Sequence, residues 1–250
     1  MVLSVLGSSS SGNAYIIQNV GEALLIEAGI PFKKIVGELN GDISKVVGCL
    51  ISHEHGDHAG RINEVLNAVI PVYASKGTIE NAKITSEWPA RVLERAGNGY
   101  KQVNIGSFKV IPFATKHDSA EPTGFYIWHP ETGGILFATD TYYLPNTFKG
   151  LNNILIECNY DLDILDRNVE NGSVPPALRE RVRASHLSID TCIGALKANN
   201  LKAVNNIVLI HLSDGNGDPA AFRDRVYKAT GKRVHIAKPG LSINFNKTPF

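Results

Sequence analysis

His53-Glu54-His55-Gly56-Asp57-His58 places three imidazoles and a free carboxylate within six residues, directly after an apolar, strand-like run from Val46 to Ser52. Neutral imidazole and carboxylate are ligands that suit zinc and also accept manganese or iron. In the helical His-Glu-x-x-His pattern of zinc proteases the histidines stand four apart and share one face. Here they begin two apart, which fits extended chain or a tight loop. The stretch therefore predicts a metal site on a loop at a strand end. A lone loop histidine is ordinarily a polar surface residue, but three with an aspartate at this spacing point to metal.

Working outward, three further ligand types stand at the ends of apolar strand-like runs: His117 after Phe108 to Ala114, Asp140 after Ile135 to Ala138, and His211 after Ile207 to Ile210. Each alone could be a polar loop residue. Together with His53, His55, Asp57 and His58 they make seven candidate ligands, too many for one tetrahedral ion. The set suits two divalent ions, zinc or manganese, roughly 3.5–4 Å apart and bridged by one carboxylate and a hydroxide.

The remaining sequence reads as one domain, residues 1–250. Its 43% hydrophobic content is ordinary for a globular enzyme, and a formal net charge of +1 advertises no global field for nucleic acid. Cys49, Cys158 and Cys192 are scattered through apolar or helical contexts and read as reduced core thiols. The N-terminus lacks a secretory pattern and no run is long enough to span a bilayer, so a cytoplasmic location is expected. Strands are expected at Val2 to Leu6, Ala14 to Gln18, Ala23 to Glu27, Val72 to Ala74, Gly124 to Trp128, Ile154 to Glu157, Val234 to Ala237 and Leu241 to Phe245. Helices are expected over Pro31 to Leu39, Arg61 to Ala68, Ser188 to Asn199 and Pro219 to Thr230, with Asp190 and Asp218 marking the last two starts and Gly231 the final stop. Two batches of strands, each with helices, imply two sheets face to face covered by helices outside, an α/β (α+β) class.

HEHGDH, followed in order by TKHDSAEPTGF, FATDTYY and IHLSD, resembles the motif series of the metallo-β-lactamase superfamily over nearly the whole chain. The opening GSSSSGNAYII, the IECNYD run and the two HLS segments look like the WalJ/YycJ group, metallo-hydrolases associated with 5′ exonuclease activity on DNA. The resemblance implies a four-layer αββα sandwich with the metals at one edge. It implies that His53, His55 and His117 hold one ion, Asp57, His58 and His211 the other, and that Asp140 bridges. Authentic β-lactamases commonly carry cysteine at the second-ion position, so the aspartate argues against antibiotic hydrolysis. Glu157 and His186 are similar to the Glu and His that serve proton transfer in tRNase Z-like phosphodiesterases. Asp57, His186 and Glu157 are thus the expected catalytic residues, His186 being a candidate general acid.

These parts point to a dinuclear phosphodiesterase that uses metal-activated hydroxide on nucleic acid, with a small-nucleotide or cyclic-nucleotide phosphodiesterase, similar to phage anti-Pycsar enzymes, as the alternative. A non-catalytic metal-binding regulator is a reading of a different class, disfavoured by a complete ligand set. No β-CASP insertion fits in this length. Arg179, Arg181 and Arg183 could hold phosphates or simply face solvent around Glu180. The Ser8 to Ser11 turn could cradle phosphate or serve as a hairpin turn. Tyr142, Tyr143 and Trp128 could stack bases, core packing being the simpler reading of Trp128.

Overall fold

The computed structural model describes residues 1–248; the last two residues of the expected 1–250 domain lie outside it. The first half opens with an antiparallel meander, β1 (Val2–Gly7), β2 (Ala14–Gln18) and β3 (Ala23–Ile26), then turns parallel. Through α1 (Phe32–Glu38) the chain enters β4 (Val46–Leu50). It continues through α2 (Gly56–Ala59) and α3 (Ile62–Asn67) to β5 (Val72–Ala74), and through α4 (Lys76–Asn81) to the short β6 (Arg91–Val92). A two-stranded ribbon, β7 (Arg95–Ala96) and β8 (Gly99–Tyr100), leads into the second half.

There the same plan repeats. The antiparallel set β9 (Val103–Ile105), β10 (Phe108–Ala114), β11 (Thr123–His129) and β12 (Gly133–Ala138) is followed by parallel β13 (Leu151–Glu157), β14 (Asn206–Ile210) and β15 (Arg233–Ile236). The crossovers carry α5 (Leu162–Glu170), α6 (Pro176–Ser185), α7 (Ile189–Lys197) and α8 (Pro219–Thr230). The final strand, β16 (Ser242–Asn244), crosses back to pair with β1, so the sheets run β16-β1-β2-β3-β4-β5-β6 and β15-β14-β13-β12-β11-β10-β9.

Strand alternation explains the layering. Tyr15, Ile17, Leu24 and Ile26 from the first sheet meet Phe125, Phe137, Leu155 and Val208 from the second in one buried cluster between the sheets. The intervening residues, such as Ile16, Leu25 and Cys49, face outward onto Ile35 of α1 and Ile62 and Val65 of α3. On the other side Ile154, Ile156, Ile207 and Leu209 receive Cys192 and Leu196 of α7 and Phe222 and Val226 of α8. Both faces of each central strand are therefore apolar, as parallel sheets require. Each fully buried side chain of this kind contributes roughly 1.5–3 kcal/mol. The result is the expected αββα arrangement, and all three cysteines are free and buried.

Local signals set the helix ends. Ser188, not Asp190, caps α7 by accepting the Thr191 N–H; Asp190 lies in the first turn. Asp218 caps α8, with Pro219 at its first position and Gly231 at φ 65° closing it. Four expectations are revised or lacking. The HEHGDH stretch is extended only as far as His55, since Gly56 to Ala59 make a helical turn. Trp128 is half-buried under Lys109, whose ammonium stands 5.0 Å from the ring, at the opposite end of the β10–β11 hairpin from His117. Helices α4, α5 and α6 were not expected: α5 carries Leu162, Leu165 and Val169 at helical spacing and is missed despite it, whereas α6 buries only Ser185, and its Arg179, Arg181 and Arg183 form ion pairs with Asp166, Asp118 and Glu180. The return of β16 to the first sheet has no sequence signal.

Candidate metal centre

The C-terminal ends of the strands open at one edge of the sandwich, and the chain there carries all the candidate ligands. Segment 51–58 leaves β4 and is strapped to the β1–β2 turn, where the Asn13 N–H donates to the Asp57 carbonyl at 2.7 Å, and to the turn after β3, where the Ala28 N–H donates to the His58 carbonyl at 2.7 Å. Gly29 permits this approach, because a Cβ there would stand 1.7 Å from the Asp57 carbonyl oxygen. Thr123 N–H donates to the Ser52 carbonyl at 2.9 Å and ties the two sheets together beside the site. Three non-glycine residues at strand ends adopt positive φ: Glu27 at 67°, Asp140 at 42° and His211 at 52°. Such strained backbone gathers where side chains must be aimed.

His53, His55 and His117 turn ring nitrogens on one another. The His55 Nδ1 lies 3.1 Å from His53 Nε2 and 3.2 Å from His117 Nε2. His117 Nδ1 donates to the Ser185 carbonyl at 2.9 Å, so its neutral ring directs a lone pair from Nε2 into the cluster. His53 Nδ1 is held by Ser52 Oγ at 2.9 Å. A second group comprises Asp57, His58 and His211, with Asp57 Oδ2 at 3.2 Å from both His58 Nε2 and His211 Nε2. Asp140 stands between them. Its Oδ2 is 3.5 Å from His117 Nε2 and 3.9 Å from His53 Nε2, and its Oδ1 is 3.4 Å from His58 Nε2.

Electrostatics separate these rings. Burial, reinforced by neighbouring imidazoles, pushes His53 well below the ordinary histidine range, and burial also lowers His117. Burial acts to lower His211 too, but the Asp140, Asp57 and Glu157 carboxylates outweigh it and push the ring up to about 10. His58 is raised for the same reason by Asp140 and Glu27. Burial works to raise Asp57 and Asp140, yet bonds and charges from the histidines hold both well below the carboxylate range. Ring nitrogens converging on two ionised carboxylates, Asp57 and Asp140, make a centre that favours positive charge. The donors fit divalent metal: imidazole and carboxylate in groups whose ligand atoms lie within 4.8 Å of one another.

Outer partners orient the donors. Glu27 is buried and faces His58 Nδ1 from 3.5 Å, and neither Glu27 Oε1 nor that nitrogen has another hydrogen bond. With a proton on Nδ1 toward Glu27, His58 turns Nε2 toward Asp57 and Asp140, the orientation a metal-binding imidazole needs. Asn13 Nδ2 donates to Asp57 Oδ2 at 3.3 Å, Thr139 Oγ1 to Asp140 Oδ1 at 2.7 Å, and Asn159 Nδ2 to the His211 carbonyl at 2.8 Å. The Ser8 hydroxyl accepts the His211 N–H at 2.9 Å and contacts Tyr15 Oη. Sequence reading assigned none of these roles. Glu27 alone was discoverable, since it ends an apolar strand as Asp140 and His211 do.

His186 caps α6 and points at the same cleft. Its Nδ1 is 2.6 Å from Glu157 Oε1, and its ring lies 5.5 Å from that of His211 and 5.3 Å from that of His117. Glu157 is fully buried and its other oxygen accepts the Thr141 and Leu187 N–H groups, each at 3.0 Å. Burial acts to lower His186, but Glu157 and Asp140 raise it. The cleft, about 220 Å³, is walled by Ser10 on one side and by Leu178, Arg181 and Val182 of α6 on the other. Arg181 lines the cleft while paired with Asp118 at 3.2 Å, whereas Arg179, bonded to Asp166 and Glu180, does not line it. Tyr142 and Tyr143, after Asp140, are exposed at 46% and 54%.

The profile of the metallo-beta-lactamase superfamily matches residues 9–151. The exodeoxyribonuclease WalJ of Streptococcus pneumoniae is 28% identical over 255 aligned positions, covering 97% of this chain and 91% of that protein. The exodeoxyribonuclease YycJ of Bacillus anthracis is 28% identical over 228 positions, covering 85% and 83%. Among solved structures, the metallo-beta-lactamase fold protein YhfI from Bacillus subtilis superposes with a TM-score of 0.69 at 18% identity over 97% of this chain and 99% of the other. Among the described residues no helix is long and apolar enough to cross a membrane. With its fold, its imidazole and carboxylate cluster and this profile match, the chain belongs to the metallo-beta-lactamase superfamily and is a metal-dependent hydrolase.

Proposed function

We propose that the protein, acting as one domain, is a dinuclear phosphodiesterase that hydrolyses nucleic acid and leaves a 5′-phosphate, in the manner of a 5′ exonuclease. His53, His55 and His117 would hold one ion and Asp57, His58 and His211 the other, with Asp140 shared between the two groups. Two divalent cations in such a site activate water near neutral pH and neutralise phosphate oxygens. The chain's own residues supply the rest. Glu157 orients and charges His186, whose free Nε2–H donates a proton to the departing sugar oxygen. Arg181 meets a phosphate oxygen at the cleft mouth.

The observation that carries this reading is the Glu157–His186 pair, 2.6 Å apart and facing the donor cluster. A hydrolase acting only on esters with good leaving groups needs no such acid. Glu157 also belongs, by distance, to a donor group with Asp140, His186 and His211. Its oxygens are already committed to His186, Thr141 and Leu187, which favours an orienting role over ligation. The names of the exodeoxyribonuclease relatives support DNA as the polymer. A 220 Å³ cleft holds little more than a phosphate and part of its sugar, which keeps a small or cyclic nucleotide as the second reading. The test incubates zinc-loaded and manganese-loaded protein with linear DNA, RNA and cyclic nucleotides and identifies products by mass. Mononucleotides and 5′-phosphorylated ends from DNA are expected. Rapid turnover of cyclic nucleotides with DNA and RNA left intact replaces the nuclease reading with the small-nucleotide one.

A further inference from the structure

A hollow larger than the cleft, a groove of about 760 Å³, lies on the other face of the Ser8 to Gly12 turn. Ser10 walls the cleft, while Ser8, Ser9 and Ser11 wall the groove; His211 belongs to the cleft and Leu212, the next residue, to the groove. The two hollows thus share one thin partition. The partition is fixed, because the Gly12 N–H donates to the Ser9 carbonyl at 2.9 Å and the Ser8 hydroxyl accepts from the His211 N–H. Leu6, Ile30, Leu212 and Ile236 give the groove an apolar lining. Lys34 of α1, Arg223 of α8 and Lys238 of the β15–β16 loop stand around it, against a single carboxylate, Asp214. Arg223 is engaged by Asp224 at 3.0 Å. Lys34 and Lys238 are exposed and make no ion pair among the described residues.

We infer that this groove binds the single strand of nucleic acid that continues from the scissile phosphate on the side away from His186, its bases against the apolar lining and its phosphates on Lys34 and Lys238. The inference rests on the proposed phosphodiesterase reading for the direction of the strand. His186 and α6 flank the departing sugar oxygen, so the nucleoside that keeps the phosphate must leave toward the other walls. The serine turn is one of those walls, and the groove lies beyond it. A chain with a net charge of only +1 gains a local polyanion site here from two unpaired lysines on different elements.

The test is equilibrium binding of a fluorescently labelled single-stranded oligodeoxynucleotide with phosphorothioate linkages to the metal-loaded protein, followed by anisotropy across a salt series. The variant Lys34→Glu/Lys238→Glu is compared with Lys197→Glu/Lys228→Glu, which changes net charge equally on exposed turns of α7 and α8 outside the groove. The groove variant is expected to weaken binding about 10-fold and to flatten the slope of log affinity against log salt by about 1.4, or roughly 0.7 per lost phosphate contact. The control is expected to change neither by more than about 2-fold. Equal weakening by both pairs, weakening by neither, or no binding by the wild type overturns the inference. Because the readout is binding, it stands apart from turnover: groove-dependent binding without DNA hydrolysis discards the nuclease reading and keeps the groove, and DNA hydrolysis with groove-independent binding does the reverse.

Discussion

The two walls of the metal centre are built in opposite ways. The wall from the first sheet delivers His53, His55, Asp57 and His58 from one uninterrupted segment, held by backbone bonds to Asn13 and Ala28 and by the close passage of Gly29. The wall from the second sheet delivers His117, Asp140, Glu157, His186 and His211 singly, from the ends of β10, β12, β13, α6 and β14. The first wall is a local structure that would survive small shifts between sheets. The second exists only while the strands keep their register, for example Glu157 beside Ile210 and Ala138 beside Ile156. Asp140, a lone residue from the dispersed wall, stands where the two meet, 3.4 Å from His58 and 3.5 Å from His117.

That contrast can be broken most severely at Asp140. Asp140→Ala should reduce bound metal below two ions per chain and lower activity by more than the ~10–100-fold that follows loss of an outer partner. Metal analysis beside rate measurement checks it, and a variant with full activity and unchanged metal removes the joining role.

His186→Ala attacks the dispersed wall without touching the proposed ligands. Cleavage of a nucleotide ester should slow roughly 10²–10⁴-fold with both metals retained, while a nitrophenyl phosphodiester, whose leaving group hardly needs a proton, should suffer much less. Loss of an ion from this variant would instead make His186 a ligand. The pH profile sharpens the point. The acid form donates, and Glu157 with Asp140 raises His186 above its ordinary range, so activity should fall as pH rises through that raised value. In Glu157→Gln the larger of the two raising charges is gone and the alkaline limb should move to lower pH; a limb that stays in place argues against His186 as the proton donor.

The clustered wall has its own weak point in Glu27. Glu27→Gln keeps the shape but removes the charge facing His58 Nδ1, and it should weaken the more loosely held ion about 10–100-fold. Competition with a chromogenic chelator measures this, and two unaltered affinities would mean that Glu27 serves only the Ser52 N–H it also accepts. Smallest of all is Ser8→Ala, which takes one acceptor from the His211 N–H. A loss of about 1 kcal/mol in unfolding free energy is expected, with chemical denaturation as the readout; a loss within error would show that water replaces the hydroxyl.

The amino-acid sequence by itself determined the clustered wall, because ligands two to three residues apart are brought together by the chain's own short reach. It also determined the central strands, whose runs such as Ala14 to Gln18 and Ile207 to Ile210 are apolar on both faces, and the capped start of α8 at Asp218. It marked His117, Asp140 and His211 as strand-end residues and grouped them with the cluster by ligand type, without the distances at which they meet. Only the tertiary structure decided those distances, together with the reach of Glu27 to His58, the seat of His186 at the end of a polar helix, the return of β16 to β1, and the groove behind the serine turn. The physical reason is common to all of these. A hydrogen bond or a shared cavity between residues far apart in the chain depends on how two sheets stack and where parallel strands stop, and the periodicity of a single strand carries no record of its neighbour.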